Sequence, residues 1–222
     1  MPTVTDTTLL AATELFGSLE PAQLQSIADL STLVALKRND ILFSENDKGD
    51  ALYVVATGRI AISNRSFDGR ESMVALMEPG DLFGEMGLFD NGGRSAEARA
   101  LEPSTAVRVP YAPVRELYGD HPQLLWQVVT LLAGRLRNMD NALADSVFLD
   151  VSGRTAKRLL ELAGDGDEFT LPITQEELAG MVGASRERVN KAIASFIRLG
   201  WLEQRDRRYK ITNRTQMEIR SQ

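Results

Sequence analysis

Residues 84–96 read Gly84-Glu85-Met86-Gly87-Leu88-Phe89-Asp90-Asn91-Gly92-Gly93-Arg94-Ser95-Ala96. This stretch sets a carboxylate, Glu85, and a guanidinium, Arg94, among glycines and small residues. Glycines let backbone N–H groups come close to an anion, and Arg meets phosphate oxygens with a planar fork of donors. A Glu beside a phosphate is useful only if it accepts a hydrogen bond from a neutral hydroxyl, such as a ribose 2′-OH. The plain alternative is a tight loop carrying a surface salt bridge, which contributes little. The sequence on either side decides between the two.

Around this stretch, from Thr32 to Val109, short runs rich in Val, Ile, Leu and Tyr alternate with turn residues. The runs include Ile41-Leu42-Phe43, Leu52-Tyr53-Val54-Val55, Ile60-Ala61-Ile62 and Met73-Val74-Ala75-Leu76. Asn46 to Asp50, Phe67-Asp68-Gly69-Arg70 and Glu78-Pro79-Gly80-Asp81 separate them. This spacing predicts an antiparallel barrel or jelly roll enclosing room for a small ligand. Gly58 is expected at a hairpin, and Asn39 and Asn46 are the non-glycine residues that best tolerate a positive φ. Ahead of the strands, residues 9–30 read as short helices, with Pro21 opening the second.

Beyond Pro122 comes the longest helical segment, Gln123 to about Phe148. Leu125, Leu132 and Met139 repeat every seven residues, and so do Val129, Leu136 and Leu143. Such a seam predicts a parallel homodimer along this helix; the alternative is packing on the chain's own barrel. Asp150-Val151-Ser152-Gly153 is expected to break the helix and form a hinge. The resulting division is 1–122 for the barrel, 123–149 for the long helix and 150–222 for a third part.

That third part carries a second signature. Thr174-Gln175-Glu176-Glu177 reads as a capping box at a helix start, followed by the apolar Leu178, Ala179, Met181 and Val182. Gly183-Ala184 makes a turn and Ser185 is a natural N-cap for the next helix. Ala179, Gly183 and Val189 have the spacing of a helix-turn-helix: a small contact, a left-handed turn and an inward apolar residue. Arg186, Glu187, Asn190 and Lys191 are then expected to project away from Val189 and Ile193. Arg or Lys can bond guanine O6 and N7 in a major groove, and Glu can accept from cytosine N4. Thr174, Gln175 and Ser185 join them as expected contacts to DNA. Gly200 ends the helix, and Trp201 to Ile211 reads as a two-stranded wing with its tip near Asp206-Arg207-Arg208.

Charge follows the same division. The net charge is −6, yet residues 1–151 hold 12 basic and 21 acidic side chains, and residues 152–222 hold 13 and 10. Only the tail suits a polyanion. With 222 residues, 43% hydrophobic and 25% charged, the composition is that of a globular protein. No apolar run reaches membrane-spanning length, and Met1 to Thr8 lacks the layout of a secretory signal, so a cytoplasmic protein is expected. There is no cysteine, which excludes disulfides, thiolate-held clusters and thiol sensing. The single histidine, His121, sits in Asp-His-Pro and reads as part of a turn, so no metal site is expected. Nothing resembles a nucleophile–base pair or a GxxxxGK loop, so an enzyme is not expected.

The 84–96 run closely resembles the phosphate-binding cassette of the CRP/FNR family of bacterial transcription factors. Gly-Ala-Ser-Arg-Glu-Arg-Val-Asn-Lys at 183–191 resembles the recognition helix of its cAMP receptor members. The resemblance covers residues 15–215 in order, and it implies an α+β protein. The parts would be a cyclic-nucleotide-binding β-jelly roll, a long dimerisation helix and a C-terminal winged helix-turn-helix. It implies control by a cyclic nucleotide, cAMP first, in a homodimer on a TGTGA-like palindrome, with RNA polymerase as a further partner. Gly84, Glu85, Met86, Arg94 and Ser95 would hold phosphate and ribose. The family's adenine-binding threonine falls on Met139, which also fits the seam, with Asp140 beside it as an acceptor for a base amino group. Lys191 stands where the family has Arg, a point charge in place of a fork. A redox- or gas-sensing member would need cysteines or a haem-binding His in the barrel. The remaining alternatives are a constitutive, ligand-independent DNA-binding dimer and one that responds to a different nucleotide.

Overall fold

Runs of β-branched and aromatic residues, punctuated by residues that accept a positive φ, shape the first part of the chain. Asn39 (φ 70), Asn46 (φ 68) and Gly58 (φ 77) take the left-handed conformation, as their types anticipate. The computed structural model describes residues 7–65 and 71–222, so the expected turn Phe67-Asp68-Gly69-Arg70 lies outside the described residues. The chain divides into two compact units, residues 1–70 with 74–136, and residues 71–73 with 137–222.

The strand-rich part begins with helices α1 (Thr8–Ala11) and α2 (Pro21–Asp29) and strands β1 (Thr32–Leu36), β2 (Ile41–Phe43), β3 (Ala51–Thr57) and β4 (Ile60–Arg65). Next come β5 (Glu71–Met77), β6 (Leu82–Phe83), the short helix α3 (Met86–Asp90), β7 (Glu97–Ala100), β8 (Ser104–Pro110) and α4 (Tyr111–Asp120). They form two four-stranded sheets, ordered β1-β8-β3-β6 and β2-β7-β4-β5. This is the expected jelly roll. Central strand β3 is buried on both faces from Ala51 to Val55. One face packs Leu52 and Val54 with Val107 and Val109 of β8, Leu10, Ile27 and Val114 from the helices, and Phe16 from the turn between α1 and α2. The other packs Tyr53 and Val55 with Ile60, Phe83, Ala98 and Ala106. Each large side chain fully removed from water contributes about 1.5–3 kcal/mol.

A 3-10 turn at Pro122–Leu124 leads into α5 (Leu125–Phe148). The buried residues of α5 are Val128 and Leu131. The heptad residues Leu125, Val129, Leu132, Leu136, Met139 and Leu143 remain 39–66% exposed. Among the described residues of the first unit, the seam side chains Leu125, Val129, Leu132 and Leu136 are therefore not buried against the barrel.

The helix break is narrower than the sequence implies. α6 (Val151–Ala163) begins directly after Asp150, so Ser152 and Gly153 lie in its first turn. Asp150 is its N-cap and accepts from the Gly153 N–H at 2.8 Å. Glycine suits this helical position because a Cβ there would stand 3.0 Å from the Arg220 carbonyl oxygen.

After α6 come β9 (Glu168–Thr170), α7 (Gln175–Val182), α8 (Arg186–Arg198), β10 (Leu202–Arg205), β11 (Arg208–Ile211) and α9 (Arg214–Arg220). Leu159, Leu178, Val189, Phe196, Tyr209 and Met217 are all buried. The expected two-stranded wing has a third strand, in the antiparallel order β10-β11-β9.

Candidate functional site

Gly84 has φ +74, and a Cβ there would stand 2.7 Å from Arg94 Nη1, so only glycine fits without displacement. Arg94 itself is buried. Its Nη1 donates to the Gly84 carbonyl at 2.7 Å and to the Tyr111 hydroxyl at 3.0 Å, and its Nη2 donates to the Ala51 carbonyl at 2.7 Å. The guanidinium lies 4.1 Å from the Phe43 ring centre. Nε is buried without an acceptor.

Glu85 is completely buried. Its Oε1 lies 2.6 Å from Arg135 Nη1, yet neither oxygen accepts a well-aligned hydrogen bond. Burial pushes its pKa above the ordinary value, against the lowering effect of Arg135 and, further down, Arg94. Buried polar atoms without an aligned hydrogen bond are rare in folded proteins, and the two Glu85 oxygens and Arg94 Nε are three that meet here.

These groups line a small open cleft with about 60 Å³ of space. Phe43, Ile62, Met77, Phe83 and Met86 provide its apolar wall, and Gly84, Glu85, Arg94, Ser95 and Arg135 its polar one. The five sequence-expected residues of the cassette are thus brought together. Ser95 Oγ lies 3.5 Å from the Met86 sulfur. Met139 and Asp140 are exposed on α5 and belong to the second unit.

Arg135 was missed from the sequence. The signal was available: Val128, Leu131 and Arg135 follow one another at steps of three and four, which puts a cation on the buried stripe of α5. It also donates from Nη2 to the Leu82 carbonyl at 2.7 Å.

In the second unit the two helices form as expected. Thr174 Oγ1 accepts from the Glu177 N–H at 3.2 Å, and Glu177 Oε2 accepts from the Thr174 N–H at 2.6 Å. Gly183 caps α7 in the left-handed conformation, and Ser185 Oγ accepts from the Arg188 N–H at 3.4 Å to start α8. Val189, Ala192, Ile193 and Phe196 bury one face of α8, leaving Arg186, Glu187 and Lys191 exposed and Asn190 half-buried. Glu187 pairs with Lys191 at 2.7 Å, and that hydrogen bond holds the Glu187 carboxyl below its ordinary pKa. Gln175, half-buried, is hydrogen-bonded to Tyr209. At the wing, Arg207 Nη2 donates to the Leu171 carbonyl at 2.9 Å.

A family model described as the cyclic nucleotide-binding domain matches residues 33–121, and one described as the Crp-like helix-turn-helix domain matches residues 153–219. The chain is 39% identical over 201 residues to the CRP-like cAMP-activated global transcriptional regulator of Mycobacterium tuberculosis, covering 87% of this chain and 90% of that protein. The chain belongs to the CRP/FNR family. It is also 35% identical over 160 residues to the cAMP-activated global transcriptional regulator Vfr of Pseudomonas aeruginosa, covering 68% of this chain and 75% of that one. In fold it is similar to FixK2 from Bradyrhizobium japonicum, with a TM-score of 0.78 at 21% identity over 86% of this chain and 98% of that one. A member of this family is a DNA-binding transcriptional regulator with a cyclic nucleotide-binding domain, not an enzyme. No described helix is long and apolar enough to cross a membrane.

Proposed function

We propose that this regulator is a homodimer that binds cAMP in the 84–96 cleft and reads a TGTGA-like palindrome with α8. One observation carries the ligand reading. A buried carboxylate with no aligned hydrogen bond, Glu85, lines the same cleft as Arg94, whose Nε also lacks an acceptor. A ribose 2′-OH satisfies the first group and a phosphate oxygen the second. The charged side chains of the cleft are Glu85, Arg94 and Arg135, a balance of one positive charge. A cyclic phosphodiester brings one negative charge to match it, whereas a 5′-monophosphate brings close to two. The relatives' cAMP control, named for the Mycobacterium and Pseudomonas proteins, points the same way.

The resemblance assigns Met139 and Asp140 to the base; Met supplies no useful acceptor for an amino group, so base selectivity would fall to Asp140. Dimerisation is supported by the exposed seam of α5, six apolar side chains in heptad register. Thr174, Gln175 and Ser185 would position the reader on the phosphates, and Arg186, Glu187, Asn190 and Lys191 would meet base edges. A dimer of this kind works in the bacterial cytoplasm and hands its signal to RNA polymerase.

Calorimetric titration with cAMP and cGMP tests the ligand, and DNA binding with and without cAMP tests the coupling. Equal, tight cAMP binding by the unmodified chain and Arg94→Ala would sink the ligand reading. DNA binding indifferent to cAMP would favour a constitutive dimer.

A further inference from the structure

Tyr111 opens α4 and Arg115 lies one turn further on, and together they hold both ends of α3. The Tyr111 hydroxyl donates to the Gly84 carbonyl just ahead of α3 and accepts from Arg94 Nη1 at 3.0 Å. Glycines make room for it: a Cβ on Gly49 would stand 3.0 Å, and one on Gly87 3.3 Å, from that hydroxyl. Burial pushes the Tyr111 pKa further above its ordinary value, so the donor persists at any working pH.

At the far end, Arg115 Nε donates to the Leu88 carbonyl at 2.9 Å. Its Nη2 donates to the Gly87 carbonyl at 3.0 Å and to Asn91 Oδ1 at 2.7 Å. Asn91, with φ 56, is the left-handed cap of α3. A helix of five residues has no further turn to bond its last carbonyls and cannot sustain itself. Arg115 supplies those bonds from outside.

We propose that Tyr111 and Arg115 are positioning residues for nucleotide capture. They fix the two ends of α3 and, through Tyr111, the guanidinium of Arg94, so the phosphate's donors are aligned before it arrives. Neither needs to touch the ligand. The inference rests on the cyclic-nucleotide reading above.

The test is calorimetric titration of the full chain, Arg115→Ala, Arg115→Lys and Tyr111→Phe. The probes are cAMP, cGMP and the two phosphorothioate diastereomers of cAMP, each with one exocyclic oxygen replaced by sulfur. Arg115→Ala and Tyr111→Phe should weaken cAMP and cGMP by the same factor, up to about tenfold, the scale of a lost hydrogen bond. They should also narrow the preference between diastereomers, and Arg115→Lys should recover part of both effects. A merely structural role would lower the melting temperature and leave the diastereomer ratio of the folded protein unchanged. Unaltered affinity and ratio in both variants would overturn the inference, as would a loss confined to one base. If the unmodified chain bound none of the four probes, the cyclic-nucleotide reading would fall, and this inference with it.

Discussion

Replacing Glu85 with Gln should stabilise the unliganded protein at neutral pH while weakening nucleotide binding. Glu85 is completely buried and its oxygens accept no aligned hydrogen bond, so ionisation is opposed by desolvation. The Arg135 pair at 2.6 Å offsets part of that cost, but the pKa is nonetheless raised from 4.5. A carboxyl whose folded pKa lies above its unfolded value binds more protons in the folded state. Its contribution to stability is therefore complete below pH 4.5 and is lost as pH rises through the raised folded value.

Gln carries no such charge. Arg135 is not stranded by the change, because its side chain is 32% exposed and also bonds the Leu82 carbonyl. The stability of Glu85→Gln relative to the unmodified chain should rise by up to about 1.4 kcal/mol per pH unit above 4.5, levelling off past the folded value. Urea unfolding of both proteins at intervals from that pH to 8, without nucleotide, reads the difference directly, and every other titrating group cancels. A hydrogen bond to a charged group is worth about 1.5–3 kcal/mol, so cAMP affinity should fall roughly ten- to a hundredfold. A difference that stays flat across the interval would refute the reasoning, as would a Gln variant that is less stable throughout it.

Arg186→Ala should cost about 1–3 kcal/mol on a TGTGA palindrome and relax the choice at one guanine; equal losses on random DNA would remove it from base reading. Arg205 and Arg208 face each other across the wing and are both exposed, so Arg208→Ala should weaken all sequences alike and flatten the salt dependence of binding. Leu136→Glu, at an exposed seam position, should shift sedimentation from dimer to monomer with little change in urea midpoint extrapolated to low concentration. Thr174→Ala removes half of the capping box and should cost about 1 kcal/mol in denaturant unfolding.

The parts that were legible in the sequence are those set by local chemistry. Capping of α7 by Thr174 and Glu177, the left-handed Gly183 and the positive-φ Asn39 and Asn46 each follow from side-chain type. Gly84, Glu85 and Arg94 were legible as one group because they fall within eleven consecutive residues, 84–94. Long-range partners were not legible. Arg135 reaches Glu85 from fifty residues away, and Tyr111 and Arg115 brace α3 across more than twenty. β9 was missed because Glu168-Phe169-Thr170 has too few residues to show a period; only its ladder to β11 and the stacking of Phe169 on Tyr209 make it a strand. Ser152 and Gly153 were read as breakers because the carbonyl that passes close to Gly153 lies in α9, far along the chain.

The third strand of the wing has a consequence for association with DNA. A free two-stranded hairpin at this position would lose a good deal of backbone motion on docking, and that loss would subtract from affinity. Here the hairpin is laid against β9 and its turn is tied by Arg207 to the Leu171 carbonyl. Most of that ordering is completed on folding. On the proposed reading the exposed cations at 205 and 208 would meet the phosphates with little left to freeze, and their contribution should show mainly as a slower departure from DNA.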